Sequence, residues 1–298
     1  MSQVSVIIPS YNSAATVLRT LNSLFEQEPA GFLKEVLVVD SSDDGVTDKA
    51  LSGIAHEKLR IVKLPARAIP AAGRNAGAKL ASAGILAFID SDATAAPGWI
   101  KNIVSAYECG NRVGGGAIRL APEQSSLGLA VTQYFLQFSE FMGGEPQAVL
   151  FAPSCNVFCE KKLFEEVGGF PDIRAAEDVL FGAKFSGKVP YYFNPAMRVH
   201  HIFTLTWKRY RTNQKLLGEY TLVCRRKLEG RWMYRGVFPL LLAPVFFMTK
   251  LFRIYGRVRR SQDRELHASF FRHLPLLCVG LLFLTWGFST AGFRSWKS

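Results

Sequence analysis

The chain has 298 residues, 49% of them hydrophobic and 20% charged, which is enough apolar mass for a full core and excludes a disordered chain. Its net charge of +12 is unevenly placed: residues 1–200 hold 18 Lys/Arg against 20 Asp/Glu, and residues 201–298 hold 18 against 4. Five cysteines, odd in number and without a C-x-x-C pair, argue against a disulfide framework or a zinc site and point to a reducing compartment.

Met1–Gln3 run straight into an apolar segment with no charged leader, so no secretory signal is read and the first domain is expected in the cytoplasm. Val4–Ile8 is a β-branched run halted by Pro9, and Val17, Leu18, Leu21, Leu24 and Phe25 then recur at helical spacing. Val36–Val39 predicts a second strand ending at Asp40, followed by turn chemistry over Ser41–Gly45 and a helix over Val46–His56. Leu59–Leu64 is a third strand, Ala71–Ser82 an alanine-rich helix, and Ile85–Ile89 an apolar strand running into Asp90-Ser91-Asp92. Such alternation predicts an α/β domain with a mostly parallel sheet, whose ligand lies off the carboxyl ends of the strands. Asp40 and Asp90 stand at two of those ends.

Farther on, Arg112–Ile118 is a glycine-rich strand, Leu127–Met142 an aromatic amphipathic helix, Val149–Cys159 a return toward the sheet, and Lys161–Val167 a short helix stopped by Gly168-Gly169-Phe170. Acidic residues almost vanish after Phe203, which sets the expected boundary: an α/β domain over 1–205 and a basic, apolar, helical region over 206–298. Leu274–Phe293 carries no charged side chain and is about 20 residues long, the length of a membrane-crossing helix. Gly236–Thr249 is shorter and interrupted by Pro239 and Pro244, and the arginines that follow it favour a cytoplasmic loop. That combination predicts a re-entrant or interfacial first segment, hence one or two membrane-embedded segments. Both nucleic acid and anionic lipid would attract the tail's charge, and its apolar runs favour lipid, so no nucleic-acid partner is expected.

The Asp90-Ser91-Asp92 turn places two carboxylates where hard oxygen ligands suit Mg²⁺ or Mn²⁺, although many such pairs are plain solvated turns. Glu177-Asp178 reads either as an acidic helix start, favoured by the helix dipole, or as a like-charge pair whose raised proton affinity suits a general base. Arg74 begins the alanine-rich helix, as a surface residue or as a guanidinium reaching phosphate. Tyr134, Phe135, Phe138 and Phe141 form a helical stripe that either packs a core or lines an apolar groove.

Taken in order, Val4–Asn12, Val38-Val39-Asp40, Arg74-Asn75-Ala76-Gly77, Phe88–Asp92, and Val167–Phe170 followed by Glu177-Asp178 resemble the family-2 glycosyltransferases with the Rossmann-like GT-A fold. The resemblance covers residues 4 to about 201 and implies an inverting, metal-dependent transfer from a UDP- or GDP-sugar. It implies that Asp40 bonds the nucleotide base, with Pro9, Tyr11, Arg74, Asp90 and Ser91 also on the nucleotide-sugar side. Asp92 would ligate the Mn or Mg ion, completed by His200 or His201, of which His200 is the candidate taken forward. Asp178 would be the catalytic base, with Gly169 and Glu177 on the acceptor side. One departure is Asp40-Ser41-Ser42-Asp43-Asp44-Gly45, where the family commonly has a second Asp and a Gly-Ser pair, so the contacts after Asp40 can shift. With a membrane-held tail, the expected acceptor is lipid-linked or a growing polysaccharide at the cytoplasmic face of the cell membrane.

Two other readings compete. A dinucleotide oxidoreductase would need a G-x-G-x-x-G turn where the chain has Pro9-Ser10-Tyr11-Asn12. A non-enzymatic membrane-associated scaffold or nucleic-acid binder rests on the basic tail alone, and salt-sensitive DNA binding without nucleotide-sugar binding would favour it.

Overall fold

A computed structural model of the chain describes residues 2–27 and 30–293, so the opening Met1 and the last five residues of the expected helical region lie outside the described residues. The strands are β1 (Val4–Ser10), β2 (Leu33–Asp40), β3 (Leu59–Lys63), β4 (Ile85–Ile89), β5 (Ala93–Ala95), β6 (Val113–Leu120), β7 (Gln147–Val149), β8 (Asn156–Glu160) and β9 (Tyr191–His201). The helices are α1 (Val17–Phe25), α2 (Val46–Ser52), α3 (Pro70–Leu80), α4 (Trp99–Glu108), α5 (Gly128–Phe138), α6 (Lys161–Glu166) and α7 (Glu177–Ala183), then α8 (Trp207–Glu229), α9 (Phe238–Leu241), α10 (Ala243–Arg260), α11 (Arg264–Arg272) and α12 (Leu274–Thr290). The chain divides into two compact units, 1–119 with 143–202, and 120–142 with 203–298.

The first unit is built on one mixed sheet in the order β3-β2-β1-β4-β8-β6-β9-β5, with β7 beside β9. Its leading half, β3-β2-β1-β4, is parallel. From β8 onward the pairings resolved against β4, β5, β6 and β7 are antiparallel. β1, β2 and β4 read as unbroken apolar runs because helices cover both faces: Ile7, Val38 and Phe88 are fully buried. Helix α3 lies so close to the sheet that a Cβ at Gly77 would stand 2.5 Å from Ile7 Cγ2. Strands β2 and β4 flank β1 on opposite sides, so the connections part there, and the carboxyl ends of β1 and β4 are where an open α/β sheet takes its ligand. Glu35 is buried within β2 and is held by Ser5, Ser82 and Arg60, an ion-paired anchor away from those ends.

The second unit is helical. The segment that carries α5, expected with the α/β domain, falls instead among these helices. Its aromatic stripe is core: Tyr134, Phe135, Phe138 and Phe141 are all buried, and Phe135 meets Phe270 edge-on at 5.9 Å. Leu274–Phe293 is long and apolar enough to cross a membrane, and half of its apolar window is buried inside the protein.

Candidate active site

Three loops and a strand end build the site. After β1, Asn12 takes a left-handed conformation (φ 50°), which a short polar side chain tolerates, and its N–H donates to Ser42 Oγ at 2.7 Å. That bond ties the β1 loop to the β2 loop. Pro9 is the penultimate residue of β1, opposite Val39 and past the last pairing of β1 with β4, where its missing N–H is harmless. Tyr11 extends beyond it, with its hydroxyl donating to Asp43 Oδ2 at 3.2 Å and the Arg67 guanidinium 4.4 Å above its ring. Asp43 also accepts from Asn12 Nδ2 at 3.0 Å, and these donors hold its carboxyl below the usual range.

Asp40 is fully buried rather than exposed at its strand end. Its carboxylate accepts from Ser42 Oγ at 2.6 Å, Ser10 Oγ at 2.8 Å and Lys63 Nζ at 2.9 Å. Burial works to raise its pKa, and the bonds from Ser42, Lys63 and Ser10 more than offset that, leaving it lowered. Asp40 therefore knots the ends of β1, β2 and β3 together, and Asp43 is among the acids that stay exposed at this rim. Lys63 was not anticipated from sequence: it meets Asp40 only because β2 and β3 pair in the register Asp40 to Lys63.

The Asp90-Ser91-Asp92 turn is pinned by its backbone. Asp90 O accepts from Ala93 N at 3.1 Å, and Asp92 O accepts from Ile202 N at 2.7 Å. Strand β5 then pairs with the end of β9, Ala93 opposite His201 and Thr94 opposite His200. Adjacent strand residues point to opposite faces, so only one of the two histidines turns toward the carboxylates. It is His201: ligand atoms of Asp90, Asp92 and His201 all lie within 4.8 Å of one another, and His201 Nε2 is 3.6 Å from Asp92 Oδ1. His200, the residue taken forward from sequence, stands one position out of phase. Two carboxylates and an imidazole form a donor set that Mn²⁺ or Mg²⁺ accepts. Ser91 is half-buried between the two acids.

Arg74 occupies a different place from the surface or phosphate-facing one expected. Its guanidinium is only 2% exposed, with Nη2 at 2.5 Å from Asp90 Oδ1 and Nη1 at 2.7 Å from Glu177 Oε1. Ser154 Oγ adds a 2.9 Å bond to the same Glu177 oxygen. Arg74 thus couples the β4 turn to the start of α7, and Glu177 is its buried partner. Just before α7, Ala176 is held at φ 56°, a strained conformation for a residue with a Cβ, and this sets the direction in which the acidic pair leaves the loop.

Asp178 keeps part of its edge open, while burial of the rest and the charge of Glu177 push its pKa up to about 7. The Cys155 thiol is buried, and burial together with the charges of Asp90, Asp92 and Asp178 raises its pKa. Arg74, ion-paired with Asp90 and with Glu177 next to Asp178, brings the metal-type cluster and the acidic pair to one spot. Gly169 is behind it, at φ 61° and packed so closely that a Cβ would meet Asn75 Oδ1 at 2.6 Å. Asn75 is bonded in both directions to Phe170, so Gly169 and Asn75 support the loop ahead of α7.

Comparisons with known proteins identify the family and the fold. The family model described as glycosyl transferase family 2 matches residues 5–168. The glycosyltransferase AglE of Haloferax volcanii is 31% identical over 172 residues, 57% of this chain and 56% of that protein. The validoxylamine A glucosyltransferase of Streptomyces hygroscopicus subsp. jinggangensis is 38% identical over 109 residues, 35% of this chain and 25% of that protein. The matches thus cover between a quarter and about half of these relatives. Among solved structures, the mannosyltransferase PcManGT from Pyrobaculum calidifontis, in complex with GDP-Man and Mn²⁺, shares the fold with a TM-score of 0.62 at 18% identity, over 95% of this chain and 85% of that one. GalNAc-T7 with UDP, GalNAc and Mn²⁺ aligns with a TM-score of 0.57 at 16% identity, over 80% of this chain and 53% of that one.

Proposed function

The chain belongs to glycosyl transferase family 2, and from that premise we propose that it moves a sugar, with inversion, from a UDP- or GDP-sugar to a lipid-linked or glycan acceptor at the cytoplasmic face of a membrane. The observation that carries the reading is the single cluster of Asp90, Asp92 and His201 with the Arg74, Glu177 and Asp178 group. PcManGT with GDP-Man and GalNAc-T7 with UDP, both with Mn²⁺, support a nucleotide-sugar donor and a divalent ion.

Asp92, Asp90 and His201 would hold the Mn or Mg ion, which supplies positive charge for a departing diphosphate. The residues of the chain itself account for the rest. Tyr11, Asp43 and Arg67 form the polar rim off β1 and β2 where a nucleoside fits, with Asp40 fixing that rim from below. Asp178 accepts the proton of the acceptor hydroxyl, and its raised pKa matches a base that works near neutral pH. Arg74 pairs with Glu177 and so holds the acidic neighbour of Asp178 in a fixed position. The lipid side of the proposal is supported by the +14 balance of residues 201–298.

The test is a thermal-shift screen of nucleotide sugars in the presence of Mn²⁺, followed by nucleoside diphosphate release with the donor that stabilises the protein. Release should require the divalent ion and vanish in Asp92→Ala and Asp178→Asn. Metal-independent release by Asp92→Ala would refute the assignment.

A further inference from the structure

The apolar C-terminal helix and the helix pair before it play opposite parts. In the helical unit α12 lies against α8 in backbone contact: a Cβ at Gly218 of α8 would collide with the Leu284 carbonyl oxygen, and one at Gly287 of α12 with the Lys215 carbonyl oxygen. Tyr210 Oη donates to Leu276 O at 3.3 Å near one end of this pair, and Arg226 Nη2 donates to Gly292 O at 2.9 Å near the other. Residues 210 to 226 thus accompany residues 276 to 292 over most of their length. Helix α8 carries nine charged side chains in 23 residues. A bilayer crossing by α12 would draw this strip of α8 into hydrocarbon, where each Lys or Arg at the centre costs about 3 kcal/mol. Separating the two helices would expose glycines whose purpose is close approach.

The lipid-compatible surface lies elsewhere. Leu241, Val245, Met248 and Phe252 are 65%, 62%, 44% and 63% exposed. Their spacing of four, three and four residues puts them on one face of α9 and α10, while Phe246, Ile254 and Val258 face the unit's interior. Exposed arginines bracket this stripe, Arg235 ahead of it and Arg259, seven residues beyond Phe252, on the same face. An apolar stripe ended by guanidinium groups matches the boundary between acyl chains and anionic headgroups, with the side chains snorkelling to phosphate.

We infer that the protein docks on an anionic bilayer with α9 and α10 lying in the plane of one leaflet, and that α12 is the core helix of the docking unit and does not cross. The inference rests on the membrane-face part of the proposed function and specifies its topology. It keeps the interfacial role that the sequence gave to Gly236–Thr249, extends it along α10, and removes the crossing that the sequence gave to Leu274–Phe293.

The experiment uses the full chain with an epitope appended to its C-terminal residue, mixed with phosphatidylcholine vesicles with or without phosphatidylglycerol. Flotation should recover the protein with the anionic vesicles, and Leu241→Asp/Phe252→Asp should reduce that recovery about tenfold or more, the effect of placing two charges at the interface. Both positions are exposed, so thermal melting should match the parent, and Arg235→Glu/Arg259→Glu, which leaves the apolar stripe intact, should weaken binding to anionic vesicles. Protease added outside intact vesicles should remove the epitope as fast as it does after detergent. Undiminished flotation of the Asp variant, or an epitope protected until detergent is added, overturns the inference while the membrane-face reading survives. Failure of the parent chain to float with either vesicle overturns both, and leaves transfer to soluble acceptors to be judged by diphosphate release.

Discussion

The most direct test of the site's architecture is Arg74→Met, which keeps the length of the side chain and removes its charge. Arg74 is 2% exposed and holds Asp90 and Glu177 at 2.5 and 2.7 Å, and Glu177 is itself buried. Without the guanidinium, Glu177 keeps the Ser154 hydroxyl, and its charge stays buried without a cation partner among the described residues. Breaking a buried pair from one side costs about 3–5 kcal/mol, because the partner's charge stays buried without compensation. For a unit of this size each kcal/mol shifts the melting temperature by about 2–4 °C, so a drop of roughly 10 °C is expected. Arg74→Lys should fall between, since an ammonium reaches one carboxylate and not two. Thermal melting of the three proteins, alongside the donor KM, separates a clamp from a phosphate contact. An Arg74→Met protein that melts with the parent while its donor KM rises sharply would refute the reasoning.

Further expectations concern the other acids and the histidines. His201→Ala should raise the Mn²⁺ concentration for half-maximal diphosphate release about tenfold or more, and His200→Ala should leave it unchanged; equal effects would contradict the face assignment. The acid limb of kcat/KM should have its midpoint near the raised pKa of Asp178, about 7, with activity lost as pH falls through it because the base becomes protonated. A limb that stays in the ordinary carboxylate range would remove Asp178 from that role. At Glu35, burial opposes ionisation but hydrogen bonds from Ser82, Arg60 and Ser5 bring its pKa from 4.5 to about 2. Its stabilisation is complete above pH 4.5 and is lost as pH falls toward 2, with an upper bound of about 3 kcal/mol. Glu35→Gln should therefore flatten the acid branch of a melting-temperature profile, and an unchanged slope would show that the anchor contributes nothing there.

Much of the first unit is legible in the chain itself, because its signals are local. The apolar run Ile85–Ile89 matches β4 residue for residue, and the expected starts of β3, α2 and α6 coincide with the observed ones. Strand β9 was not foreseen: Asn194-Pro195 reads as turn chemistry, yet the segment is held as a strand by pairing with β5 and β7. Helix α4 lacks a side-chain cap and begins after Gly98 at φ 79°, so no start signal marked it. Residues 120–142 carry a helical period that says nothing of which unit will bury it.

What the sequence determined by itself is the run of strands, the carboxylates at their ends and the basic tail, all of which follow from side-chain period, turn chemistry and charge. Only the folded chain decided that His201 and not His200 joins Asp90 and Asp92, that Arg74 is locked between Asp90 and Glu177, and that Asp40 is sealed by Lys63. Those facts depend on strand register and on residues up to about a hundred positions apart being brought within hydrogen-bond reach, for which a linear pattern has no term. The same holds for α12, whose composition permits a bilayer crossing and whose glycine contacts with a charged helix oppose one.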